Sequence, residues 1–421
     1  MKFHDMVSSR TPFLFLLACM VFPFGVAVQN LVMALCAGIL VVEIAQGKKA
    51  ESWLQMWNTF RLPLISSWLF IGWGIVARLC NEKMPTRFPM ESFGYWLWAL
   101  LPFLYRMRYG TVKSHQWSKI GRYLVIVCIS WGLLVLSQYL WRWRVVGVSL
   151  ALDDGRPKGL FSHPLTLAYA AGLLWPLSVQ WSLRFPKKAS GWLLLLAIGG
   201  ILVLTRSRTV QAVSLLVLLW NLFFLLRGSF RIGALCLILA GVGGVLSTNN
   251  LISHNIRAMW FGESVDRHSG YADDRLAFWR VHANMFIEHP IIGHGFGITE
   301  AYRMPYYEAI GLPDFIKPYP AHNLFLQVLV NEGLIGFSFF LVWIGWYLVA
   351  CRKRIRSAFA QSVFLQTWVG FLLAGLTQNS FQDAGVRMCL TLFCVSIWVC
   401  IEEKEDLTDG SDPDLGGQSL P

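Results

Sequence analysis

Between Asn249 and Asn323 the chain gathers six of its nine histidines: His254, His268, His282, His289, His294 and His322. Arg257, Arg267, Arg275, Arg280 and Arg303 lie in the same stretch. Imidazole exchanges protons near neutral pH, and the guanidinium fork holds phosphate or carboxylate oxygens two at a time. A segment rich in both is equipped to neutralise an anion and to move a proton beside it. His322 is the best-placed base. Pro318 and Pro320 precede it, and Asn323 opens a long apolar run. The positive end of a helix dipole disfavours imidazolium and leaves a neutral ring able to accept a proton. A histidine that only caps the helix would occupy the same place.

A second pair of cations sits outside this stretch, in Thr205-Arg206-Ser207-Arg208 between two apolar runs. One helix from 189 to 226 would be roughly 57 Å long, too long for a single bilayer crossing, so the chain must turn at these residues. The arginines then either snorkel to lipid phosphates or bind an anion such as a pyrophosphate. A shorter basic stretch runs from Trp141-Arg142-Trp143-Arg144 through Arg156 and Lys158 to His163-Pro164, and suits an interfacial anchor.

Within the long stretch, Tyr271 to His289 has helical periodicity, with Leu276, Trp279, Ala283 and Phe286 on one stripe and Pro290 as the stop. Arg275 falls in the opening turn beside Asp273 and Asp274, either as a solvated ion pair or as part of a site. Gly293, Gly295 and Gly297 follow; no strand precedes them, so a tight turn or close backbone approach fits better than a nucleotide loop. Asn331-Glu332-Gly333 puts a carboxylate roughly 15 Å below the start of the next helix, functional or paired within the bundle. His289 and His294 are separated by Pro290 and Gly293, and no HExxH-type pair occurs, so neither a metal nor another cofactor is expected.

The elements that must position these residues are membrane helices. Of 421 residues 55% are hydrophobic and 14% charged, with mean hydropathy +0.51. Soluble domains carry roughly a quarter charged residues. The net charge of +12 resides in short loops between apolar runs, which argues for membrane topology and against nucleic acid. Seven of the nine cysteines fall inside apolar runs without a CxxC spacing, so neither disulfides nor a zinc site are expected. The first apolar run is expected to be a retained span. Apolar runs near 12–28, 31–46, 62–79, 92–105, 120–140, 164–182, 189–205, 209–226, 231–248, 323–349, 359–378 and 386–401 predict about twelve spans.

The fold class is therefore an all-α polytopic membrane protein of about twelve transmembrane helices with one long, partly helical outer loop. Lys48-Lys49, Arg106 to Arg122, Arg184 to Lys188, Arg227 with Arg231, and Arg352 to Arg356 mark the cytoplasmic side. Both termini fall inside and the loop outside, to the periplasm in a Gram-negative cell. The expected organisation is 1–248 as N-terminal helices, 249–322 as the catalytic loop, 323–401 as C-terminal helices and 402–421 as a cytoplasmic tail.

Taken in order, Ser207-Arg208, Arg275 with Trp279, Glu288-His289-Pro290-Ile291-Ile292-Gly293-His294-Gly295, Ala321-His322-Asn323 and Asn331-Glu332-Gly333-Leu334-Ile335-Gly336 resemble the O-antigen ligase family. That family shares a core pattern with O-antigen polymerases and protein O-oligosaccharyltransferases. The similarity is clearest from about 190 to 345. It implies an inner-membrane glycosyltransferase that moves O-antigen from undecaprenyl pyrophosphate to the lipid A–core oligosaccharide, among membrane lipids, in lipopolysaccharide biosynthesis. It further implies Arg208 and Arg275 on the pyrophosphate and His322 as general base in an inverting, metal-independent displacement. Arg206 and Arg280 stand in reserve, because the doublet departs from the family's single Ser-Arg. An O-antigen polymerase is the close alternative, and a lipid-linked glycan transporter a more distant one.

Overall fold

The computed structural model describes residues 53–81, 114–141, 155–225, 272–310, 319–355 and 358–381, and single positions at 31, 38, 42, 45, 383, 385–387, 389, 390 and 393. The spans expected near 12–28, 92–105 and 231–248, most of 31–46 and 386–401, residues 142–154 of the shorter basic stretch, loop residues 249–271 and 311–318, and the 402–421 tail lie outside the described residues. Among the described residues the regular elements are helices: α1 (Trp53–Leu79), α2 (Ser114–Trp141), α3 (Pro164–Arg184), α4 (Ala189–Leu204), α5 (Arg208–Leu225), α6 (Ala272–Glu288), α7 (Glu300–Ala309), α8 (Leu324–Arg354) and α9 (Ala358–Ala374). Phe60–Leu79, Tyr123–Trp141 and Leu324–Lys353 are long and apolar enough to cross a membrane. Ala189–Leu204, Arg208–Phe224 and Ala358–Ala374 are shorter apolar helices. The chain has the helices of a membrane protein.

Helix α3 is the hub and packs against α4, α5 and α9. It buries residues around its circumference, including Thr166, Leu167, Tyr169, Leu173 and Ser182, as a helix enclosed by others must. Its hydroxyls find partners inside the bundle, with Ser182 Oγ donating to Gly191 O at 2.8 Å and Tyr169 OH to Ala374 O at 2.8 Å. Helices α4 and α5 are separate, as the length argument required. The turn between them buries Thr205 and Ser207, holds Arg206 at φ 52°, and is closed by Gln211 Nε2 donating to Leu202 O at 3.0 Å.

The long helix expected from 323 is not regular throughout. Gly333 adopts φ 62° and ψ −167°, and α8 is two helices joined there. Such a break orphans the carbonyls before it and the amides after it. The glycine run replaces the missing partners. His294 N–H donates to Val330 O at 2.9 Å and Gly295 N–H to Asn331 O at 2.5 Å. In return Leu334 N–H donates to Pro290 O at 2.8 Å and Ile335 N–H to Ile291 O at 3.3 Å. A Cβ on Gly293 would strike the backbone of Glu332 and Gly333, and one on Gly333 the Ile291 carbonyl. This is the close approach expected of the run. Helix α1 closes the other side, with Trp73 Nε1 donating to Glu332 O at 2.9 Å and Asn81 Nδ2 to His294 O at 3.1 Å. Glu332 is fully buried at this joint.

Helix α6 matches the helix expected over 271–289, but its buried face differs from the expected stripe. Phe278, Val281, His282 and Met285 are enclosed, whereas Trp279, Ala283 and Phe286 are half-buried. The reason is tertiary: α6 packs against both α8 and α7, and those two neighbours select the face.

Candidate functional site

The site forms where the start of α8, the first turns of α6 and the turn after α9 meet. Asn323 caps α8, its Oδ1 accepting from Leu326 N–H at 3.1 Å, so His322 is the residue before the cap and does not cap the helix itself. Its φ of 47° is costly for a residue with a Cβ and persists only where the surroundings over-determine it. Those surroundings are visible. Ala321 N–H donates to Gln327 Oε1 at 3.0 Å, and Leu324 N–H to Gly375 O at 2.7 Å. The imidazole leans on Phe278 and Tyr319, with ring centroids 5.5 Å and 5.9 Å away.

Gln378 lies 2.9 Å from the ring, Oε1 to Nδ1. A carbonyl oxygen only accepts, so Nδ1 carries the hydrogen and the lone pair is on Nε2. Burial, above all, holds His322 below the usual histidine pKa; the Gln378 bond opposes this, and Arg275, His163 and Arg303 lower it further. The ring is therefore neutral at neutral pH.

Arg275 is half-buried in the opening turn of α6, one turn before Phe278, whose ring carries His322. Burial pulls its pKa down, Tyr169 raises it, and the neighbouring Arg208 guanidinium lowers it again. Arg208 is exposed at the first residue of α5. Among the described residues neither arginine is paired with a carboxylate. Two like charges held together favour an anion between them.

The two remaining arginines are elsewhere. Arg206 is exposed and reaches Tyr139 OH at 3.4 Å, towards α2. Arg280 is exposed, and five residues carry it about 140° round the helix from Arg275. The fold thus brings together Arg208, Arg275 and His322.

Around this group lie residues that sequence reasoning did not assign. Thr377 donates to Thr209 Oγ1 at 2.7 Å, and Thr166 donates to Asp383 Oδ2 at 2.5 Å. His163 caps α3, its Nδ1 accepting from Leu165 N–H at 3.1 Å. Arg303 is buried on α7 and donates to Ile298 O at 3.0 Å. The run expected over 359–378 ends as helix at Ala374, so Thr377 and Gln378 lie in the turn after it, and nothing in the spacing pairs them or Asp383 with His322 or Thr209.

Two other loop histidines, His282 and His294, serve structure. His294 is fully buried; its Nε2–H donates to Met285 O at 2.8 Å, and its Nδ1 accepts from Tyr302 OH at 2.8 Å. His282 is fully buried, and its Nδ1–H donates to Phe278 O at 2.7 Å. Burial chiefly lowers its pKa to about 4, against the smaller raising effect of that bond. Among the described residues no three His, Cys, Asp or Glu side chains form a group that could hold a metal ion.

Residues 193–341 match a family model described as O-antigen ligase. The match runs from α4 to the middle of α8 and so includes Arg208, Arg275 and His322. No curated protein matches the chain.

Proposed function

We propose, with this O-antigen ligase family assignment as premise, that the protein is a glycosyltransferase joining O-antigen to the lipid A–core oligosaccharide. Its donor is undecaprenyl-pyrophosphate-linked glycan, and the reaction runs at the periplasmic face of the inner membrane. The observation that carries the reading is a pair of arginines, with no carboxylate partner among the described residues, beside a histidine kept neutral and with its Nδ1 already committed.

In this mechanism Arg208 and Arg275 grip the pyrophosphate. An acceptor sugar hydroxyl gives its proton to His322 Nε2 while its oxygen attacks the anomeric carbon of the donor. The bond from that carbon to the phosphate oxygen breaks, and undecaprenyl pyrophosphate leaves with the bonding pair. Attack opposite the leaving group inverts the anomeric centre. The arginines stabilise the charge developing on the leaving group, the work a divalent cation does elsewhere.

Transfer measured with purified protein, lipid-linked O-antigen and lipid A–core, beside a donor-binding assay, tests this. His322→Ala is expected to bind donor and fail to transfer. Arg208→Ala and Arg275→Ala are expected to lose donor binding and about a hundredfold or more in rate. Lysine at either place restores only part, because it lacks the planar fork. Normal transfer by His322→Ala refutes the base. Joining of two lipid-linked glycans in place of transfer to lipid A–core would identify a polymerase instead.

A further inference from the structure

Two consecutive residues after α9 tie the two halves of the site together. Thr377 Oγ1 donates to Thr209 Oγ1 at 2.7 Å, and Thr209 is the residue after Arg208. Gln378 Oε1 accepts from His322 Nδ1–H at 2.9 Å. The same turn fixes the main chain beside His322, since Gly375 O accepts from Leu324 N–H at 2.7 Å. It is anchored to α3 through the Thr166–Asp383 hydrogen bond at 2.5 Å, and Asp383 Oδ1 in turn accepts from Gly385 N–H at 2.9 Å.

We propose that Gln378 is a positioning residue that sets the tautomer of His322, and that the Thr377–Gln378 pair fixes the distance between His322 and Arg208. The inference rests on the reading of His322 as general base. A neutral imidazole has one basic nitrogen, and the other must carry hydrogen. If Nδ1 were the lone-pair nitrogen, Nε2 would carry hydrogen and could not accept the acceptor's proton. An amide oxygen against Nδ1 selects the useful tautomer without adding charge. A carboxylate there would do the same and stabilise imidazolium as well. The choice of amide keeps the base neutral in surroundings that already oppose protonation. Those surroundings are Arg275 on α6, His163 before α3 and Arg303 on α7, with the neutral rings of Phe278 and Tyr319 as walls.

The test compares Gln378→Leu and Gln378→Glu in the full-length detergent-purified protein, using undecaprenyl-pyrophosphate-linked glycan and lipid A–core. Gln378→Leu is expected to lower kcat about tenfold to a hundredfold with the donor KM unchanged, as loss of the group orienting a functional imidazole does. Gln378→Glu is expected to recover transfer relative to Gln378→Leu, with the acid limb of its pH profile moved upward by about one unit. The position of that limb does not depend on how much of a variant folds. Full kcat in Gln378→Leu, or an acid limb unmoved in Gln378→Glu, overturns the proposal. If His322→Ala is inactive in the same assay while either result holds, the base reading survives and only the role of Gln378 fails. Normal transfer by His322→Ala removes both.

Discussion

Replacement of Gly333 by alanine probes the joint that couples the glycine run to α8. Its φ of 62° and ψ of −167° lie in a region that only glycine occupies comfortably, and a Cβ there costs about 1–3 kcal/mol in backbone strain. The added Cβ would also overlap the Ile291 carbonyl and drive the loop away from the helix. That displaces the hydrogen bonds from Leu334 N–H to Pro290 O and from Ile335 N–H to Ile291 O, worth about 1 kcal/mol each. The combined loss is about 3–5 kcal/mol, a large share of the roughly 5–15 kcal/mol that holds a typical fold together. Gly345 provides the control on the same helix, because a Cβ there meets nothing within 4 Å. Gly345→Ala removes only the helix penalty of glycine, about 1 kcal/mol, and should leave stability level or raised. Thermal unfolding of both variants in one detergent, followed by fluorescence-detected size exclusion, reads the difference. Gly333→Ala is expected to melt on the order of 5 °C or more below the parent. Equal melting of Gly333→Ala and the parent would show that the joint yields without cost, and the reasoning would be wrong.

Two further outcomes follow from the site and its support. His282 has its pKa depressed from 6.5 to about 4, so the stability it contributes is complete above pH 6.5 and lost as the pH falls towards 4. That loss is on the order of 3 kcal/mol, and a pH series of melting temperatures should show a decline in this window that His282→Leu flattens. Arg206→Ala, which removes an exposed contact to Tyr139, should retain most transfer in the assay that Arg208→Ala fails. Equal loss in the two variants would place the anion at both arginines.

The sequence by itself marked most of the described helices, though not α7. Apolar runs set the membrane helices, because a bilayer crossing needs a certain length of apolar chain. Length alone forced the turn at Thr205 to Ser207, and periodicity with Pro290 defined α6 to within a residue at each end. The resemblance also named Arg208, Arg275 and His322 as members of one site, and the fold brings them together. Their arrangement was decided only by tertiary structure. Which face of α6 is buried depends on α7 and α8, neighbours that periodicity within α6 does not see. The break at Gly333 looks like ordinary helix in the sequence, because the partners that make it stable come from residues 290–295, some 40 residues earlier in the chain. The protonation geometry of His322 depends on Gln378, which is 56 residues away. A residue's type fixes what it can donate or accept; only packing fixes the partner it meets.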